Sequence, residues 1–277
     1  DFAGSTVLAQ SPPGANGCTF VDWPGPVGPI GFAARSPVGS YLLGRYAQAA
    51  GGTAMTIELV SGFEPDPAVL ELGALACSVD RVPADVAAAP GGGWFVASAS
   101  QAPFDACAAA SGPPRYVQIH RVEGAMVVDA SASDDLGVLA EVLLASRTSG
   151  AWLGVHASGN NQIDVFPVSA SGAIDFAQRW ALVGEYAEEA RHALVATTDT
   201  WAAAELIPNE RIPGGSLQVH AVSNQTTVSV AHDGAVVPSG VPTMVISDDA
   251  DSFLVAFEDE TGILPAIGLR RADCVLP

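Results

Sequence analysis

Two segments concentrate side chains able to do chemistry: SQAPFDACAAASGPPR (100–115) and TTDTWAAAELIPNERIPGG (197–215). The second brings Asp199, Trp201, Glu205, Glu210 and Arg211 together. A ring of this kind stacks on the apolar face of a sugar or peptide, while charged neighbours orient its polar groups. The first adds Phe104 and Asp105, and FEDET (257–261) adds Glu258 and Asp259. These residues, Glu205 apart, form the expected ligand-binding set. The bland reading of Trp201 is that, with Ile207, it fastens its loop to the structure beneath. The pattern of Thr200 to Ile207 also suits a short capped helix.

Motifs for a defined reaction are absent. The chain has no G-x-S-x-G elbow, no H-E-x-x-H, no P-loop and no Rossmann fingerprint. Three carboxylates, Asp22, Asp85 and Glu141, fall in or near segments read as inner strands, so an acid–base pair is the enzymatic alternative. His120 and His220 recur at equivalent places in VQIHRV and LQVHAV and are read as structural, with no metal assigned. His156 ends a strand near a loop, as a lone histidine. SDDADS (247–252) lacks the ligand spacing of a calcium loop, and its aspartates read as turn formers, leaving only a weak calcium signal.

The elements that position these groups repeat. GGGWFVAS (91–98) sets an aromatic and large apolar residues after a turn, followed by a small residue. Tyr41-Leu42-Leu43-Gly44, Trp152-Leu153-Gly154-Val155 and Phe253-Leu254-Val255-Ala256 follow suit, and Ala193-Leu194-Val195-Ala196 is a copy without the aromatic. Each precedes an alternating apolar strand: MTIELV, VQIHRV, IDVFPV, LQVHAV and IGLRRA. Steps of roughly 40 to 60 residues match four-stranded propeller blades with inserted loops. Flanking strands are expected at GFAARS, ADVAAAP, LAEVLLAS and PTMVIS on one side. On the other side they are expected at AVLEL, AMVVDAS, AIDFAQRW and TTVSV, and residues 181–190 are ambiguous between strand and helix.

With its Gly-Gly-aromatic-apolar-Val-Ala strand, the chain resembles the bacterial extracellular β-propellers. The resemblance implies an all-β fold of one domain over 1–277, with five four-stranded blades. Too little chain follows Arg271 for a last strand, so residues 1–27 are expected to close the ring. That closure would set Cys18 beside Cys274, and Cys77 and Cys107 would then pair between neighbouring loops. Four cysteines permit three pairings. A seam disulfide would contribute about 4 to 5 kcal/mol through the entropy of the unfolded chain.

Composition narrows the partners. Eleven basic residues, all arginine, face thirty acidic ones for a net charge of −19, which repels nucleic acid and anionic lipid. No apolar run is long enough to cross a bilayer as a helix. An even cysteine count without a CxxC pair, and a start at Asp1, suggest a secreted or cell-surface protein. The leading expectation is a non-enzymatic binding module for carbohydrate or an extracellular protein, without cofactor. A glycoside hydrolase with axial carboxylates is the first alternative, and a self-assembling surface subunit is the second.

Overall fold

The computed structural model describes the backbone of twenty-one β-strands. It describes side chains at Leu42 and over residues 84–101, 112–124, 126–160, 162–182, 192–196, 201–203 and 217–222. Every described element is a strand. Val7–Gln10 (β1) pairs with Thr19–Asp22 (β2). A first sheet follows: Ile30–Arg35 (β3), Tyr41–Ala49 (β4), Gly52–Ser61 (β5) and Glu64–Glu71 (β6). The second comprises Ala84–Ala88 (β7), Trp94–Ser100 (β8), Tyr116–Glu123 (β9) and Met126–Ala132 (β10). The third comprises Leu139–Arg147 (β11), Gly150–Ala157 (β12), Gln162–Ser169 (β13) and Trp180–Val183 (β14). The fourth is Arg191–Ala196 (β15), Thr200–Ile207 (β16), Ser216–Ser223 (β17) and Thr226–Asp233 (β18). Thr243–Ile246 (β19), Ser252–Asp259 (β20) and Ala266–Asp273 (β21) form the fifth.

Within each sheet the strands lie side by side in chain order, every pair antiparallel. The first strands of successive sheets adjoin one another, β3 beside β7, β7 beside β11, β11 beside β15 and β15 beside β19. They are the inner strands. All seven residues of β8 and all eight of β12 are buried, because neighbouring sheets cover both faces. Odd-numbered residues of β12, Ala151, Leu153 and Val155, pack toward the second sheet with Phe95, Val117 and Ile119. Trp152, on the opposite face, packs toward the fourth sheet with Leu194, Trp201 and Val222. Fully burying one such large side chain stabilises by about 1.5 to 3 kcal/mol.

The expected closed ring of five four-stranded blades is overturned. The fifth sheet has three strands, and the N-terminal strands pair with each other instead of joining β21. Closing a loop of eight residues costs less chain entropy than joining the two ends of the chain, which favours the local pairing. No disulfide occurs among the described residues; Cys18, Cys77, Cys107 and Cys274 lie outside them. The span 197–215 is likewise not one long loop, since 200–207 is strand β16 and not a helix. Of the ambiguous 181–190, residues 181–183 complete β14 and the rest lie outside the described residues.

The glycines before Trp94 show how the sequence makes its turns. Gly91, Gly92 and Gly93 hold φ of 80°, 110° and 80°, values that other residues rarely adopt. Ala89 N–H donates to the Gly93 carbonyl at 3.1 Å, closing the hairpin. A Cβ on Gly93 would overlap the Val122 carbonyl oxygen, whereas one on Gly91 meets nothing. Gly93→Ala is therefore expected to cost about 2 kcal/mol, and Gly91→Ala only its backbone strain of roughly 1 kcal/mol. Equal urea midpoints for the two variants would contradict this account.

Candidate functional site

Titratable residues stand near the heads of three successive inner strands: Asp85 is second in β7, Glu141 third in β11 and His192 second in β15. On the face of the third sheet turned toward the fourth, β11 presents Ala145, Leu143 and Glu141, and β12 presents Trp152, Gly154 and His156. β15 answers with Ala196, Leu194 and His192. Each row is apolar or small until its last member. Glu141 and His156 are directly opposed across the β11–β12 ladder. At Gly154 a Cβ would come within 3.3 Å of Ile163 and Leu194, so the missing side chain lets the fourth sheet approach just inside the polar end.

The three polar ends meet. His192 Nδ1 lies 2.5 Å from Glu141 Oε2, and the His192 backbone N–H donates to Glu141 Oε1 at 3.3 Å. His156 Nδ1 is 3.8 Å from the same Oε2, and the two imidazoles stand edge to face with centroids 5.1 Å apart. On its far side His156 Nε2 lies 3.1 Å from the Asn160 carbonyl oxygen. A carbonyl only accepts, so Nε2 carries a proton. Glu141, His156 and His192 are 8%, 0% and 2% exposed. Burying a carboxylate is costly without such partners.

Asp85 makes the corresponding cross-sheet contact one gap earlier. Its Oδ2 accepts from Leu144 N–H of β11 at 2.7 Å, and its Oδ1 from Val86 N–H at 2.8 Å. β11 is the edge of its sheet, so alternate amides point off the ladder, and Asp85 satisfies one of them. Burial pushes the Asp85 carboxyl up to about 6, against the opposing pull of the Leu144 and Val86 amides.

The other end of the inner strands borders a shallow, open depression of about 370 Å³ lined by Ala88, Pro90, Ser146, Arg147 and Ala196, among others. The Arg147 guanidinium carbon sits 4.6 Å from the centroid of the Trp152 ring. That stacking orients the charge.

Of the residues expected to bind ligand, Trp201 is buried in the core at 2% exposure, opposite Ala196 and Val222. Glu258 and Asp259 end β20, opposite Ile267 and Ala266. Phe104, Asp105, Asp199, Glu210 and Arg211 lie outside the described residues. His120 and His220 sit on different sheets, in β9 and β17, and burial lowers the His120 pKa. Sequence reasoning missed His192 and the convergence of His156 with Glu141.

No protein-family model and no curated protein matches the chain. Among solved structures, a GH43 beta 1,3 galactosidase is similar, with a TM-score of 0.47 and 8% identity. The likeness covers 84% of this chain and 54% of that one, so the chain spans about half its length. Among the described residues, no helix is long and apolar enough to cross a membrane.

Proposed function

We propose that the chain is a hydrolase of glycosidic bonds, working at the heads of its inner strands. The supporting observation is that three adjoining inner strands carry Asp85, Glu141 and His192 there, where a purely structural frame needs only small apolar residues. Hydrolysis of a glycoside needs one carboxyl that still holds its proton and a second group that activates water. Asp85, pushed up to about 6, suits the first role. The Glu141–His156–His192 cluster suits the second.

Release of reducing ends from a panel of oligosaccharides is the test. Asp85→Asn and Glu141→Gln are each expected to lower kcat/KM by about a hundredfold with the fold intact. Activity unchanged in both variants would remove the proposal. A second reading, a binding module, draws on the depression beside Arg147, whose oriented cation fits a carboxylate-bearing sugar. Retention on a glycan array without turnover, lost in Arg147→Gln, would favour it.

A further inference from the structure

We propose that Glu141, His156 and His192 bind one divalent transition-metal ion, with zinc the best fit, in the gap between the third and fourth sheets. The donor set comes first. Two imidazole nitrogens and one carboxylate suit zinc and its neighbours, whereas calcium and magnesium call for oxygen ligands. One ligand atom from each residue falls within 4.8 Å of the other two.

The distances fit an ion between them. Zinc bonds of about 2.0 to 2.1 Å at tetrahedral angles place neighbouring ligand atoms about 3.3 Å apart. Glu141 Oε2 lies 2.5 Å from His192 Nδ1 and 3.8 Å from His156 Nδ1, values that bracket this separation. Small rotations about side-chain bonds equalise the two.

The proton arrangement points the same way. The Nε2 proton of His156 goes to the Asn160 carbonyl, and its Nδ1 faces the Glu141 carboxylate at 3.8 Å. A cation in this gap is attracted by the carboxylate and by the ring nitrogens together. A histidine whose second ring nitrogen donates to a backbone carbonyl is also how proteins usually orient a metal ligand. Balance is simple: the ion displaces the proton shared by Glu141 Oε2 and His192 Nδ1, and that proton goes to solvent.

This inference concerns the same three residues to which the hydrolase reading gives the activation of water. Its test is separate, since zinc taken up without turnover leaves the metal site standing and removes only the hydrolase reading. The probe is Zn²⁺ alone, added to the chelator-treated full chain and followed by calorimetry in buffers of different ionisation enthalpy. One ion per chain with net proton release is expected, together with a higher Tm. Glu141→Gln and His192→Gln should each weaken binding by at least about a hundredfold. The electronic spectrum of the Co²⁺ form of the wild-type chain provides a measurement that no variant's folding affects. Intense bands of four-coordinate cobalt with nitrogen ligands support the site, and the weak bands of an all-oxygen octahedral ion overturn it. No stoichiometric uptake, or uptake unchanged in both variants, overturns it equally.

Discussion

Replacing Glu141 with alanine is expected to lower the unfolding free energy by about 3 to 5 kcal/mol, the range for removing one partner of a buried charged pair. The reason is positional. Glu141 takes both the ring nitrogen and the backbone N–H of His192 and faces His156, so one deletion strands groups on two sheets. Water cannot readily replace the carboxylate, because both histidines are almost wholly enclosed. Glu141→Gln keeps the shape and an acceptor oxygen, and should lose less than half as much. Denaturant unfolding of the two variants beside the wild type checks the order. An alanine variant within 1 kcal/mol of wild type would show that the gap rearranges around the loss.

Stability is also expected to fall as pH rises from about 4 to about 6, by an amount that Asp85→Asn abolishes. The Asp85 carboxyl titrates near 6 in the folded chain against an ordinary value of 3.8. Between these values the folded state holds a proton that the unfolded state has released. The contribution is therefore complete below 3.8 and lost once pH passes about 6. Its full size is about 3 kcal/mol, at 1.36 kcal/mol per tenfold change in proton affinity. Other carboxylates titrate over the same range in a chain this acidic, so the informative quantity is the difference between wild type and variant. Urea midpoints at closely spaced pH values give that difference; parallel curves would contradict the assignment. At pH 7 the asparagine variant no longer buries a charge, which offsets the loss of one of the two N–H bonds that the carboxylate accepts. A variant that gains stability while losing turnover would fit an acid kept at the expense of the fold.

The strand grammar was legible where side chains were large. Trp94, Trp152, Tyr41 and Phe253 each begin or nearly begin the second strand of a sheet, as the repeat around GGGWFVAS implied. It fails in the fourth sheet, where the repeat assigns ALVA to the second strand but the segment is the end of β15, the first. The missing aromatic is Trp201: it opposes Ala196 and Val222, as Trp94 opposes Ala88 and Val122. It went unseen because WAAAEL has strong helical propensity, and pairing with β15 and β17 overrides that preference.

The site was harder to read because it depends on register. In the sequence Glu141 reads as an inner-strand carboxylate and His156 as a lone histidine. They oppose each other only because the β11–β12 turn falls between Arg147 and Gly150, with Glu141 six residues before it and His156 six after. The bulge between Leu139 and Glu141 lies beyond that count and does not disturb it. His192 enters through packing of one sheet on the next, which periodicity along a single strand does not encode. The closure of the chain ends was a topological guess, and the β1–β2 pairing replaces it.

Because each described strand hydrogen-bonds to strands made just before or just after it, a sheet can finish as soon as its own stretch of chain leaves the ribosome. Among the described strands none waits for a partner encoded far downstream, so the exposed edges that promote misassembly during synthesis are short-lived. Seating of the fourth sheet on the third brings His192 to Glu141. Before that contact the histidine and the carboxylate are hydrated, so their desolvation accompanies the docking of the two sheets.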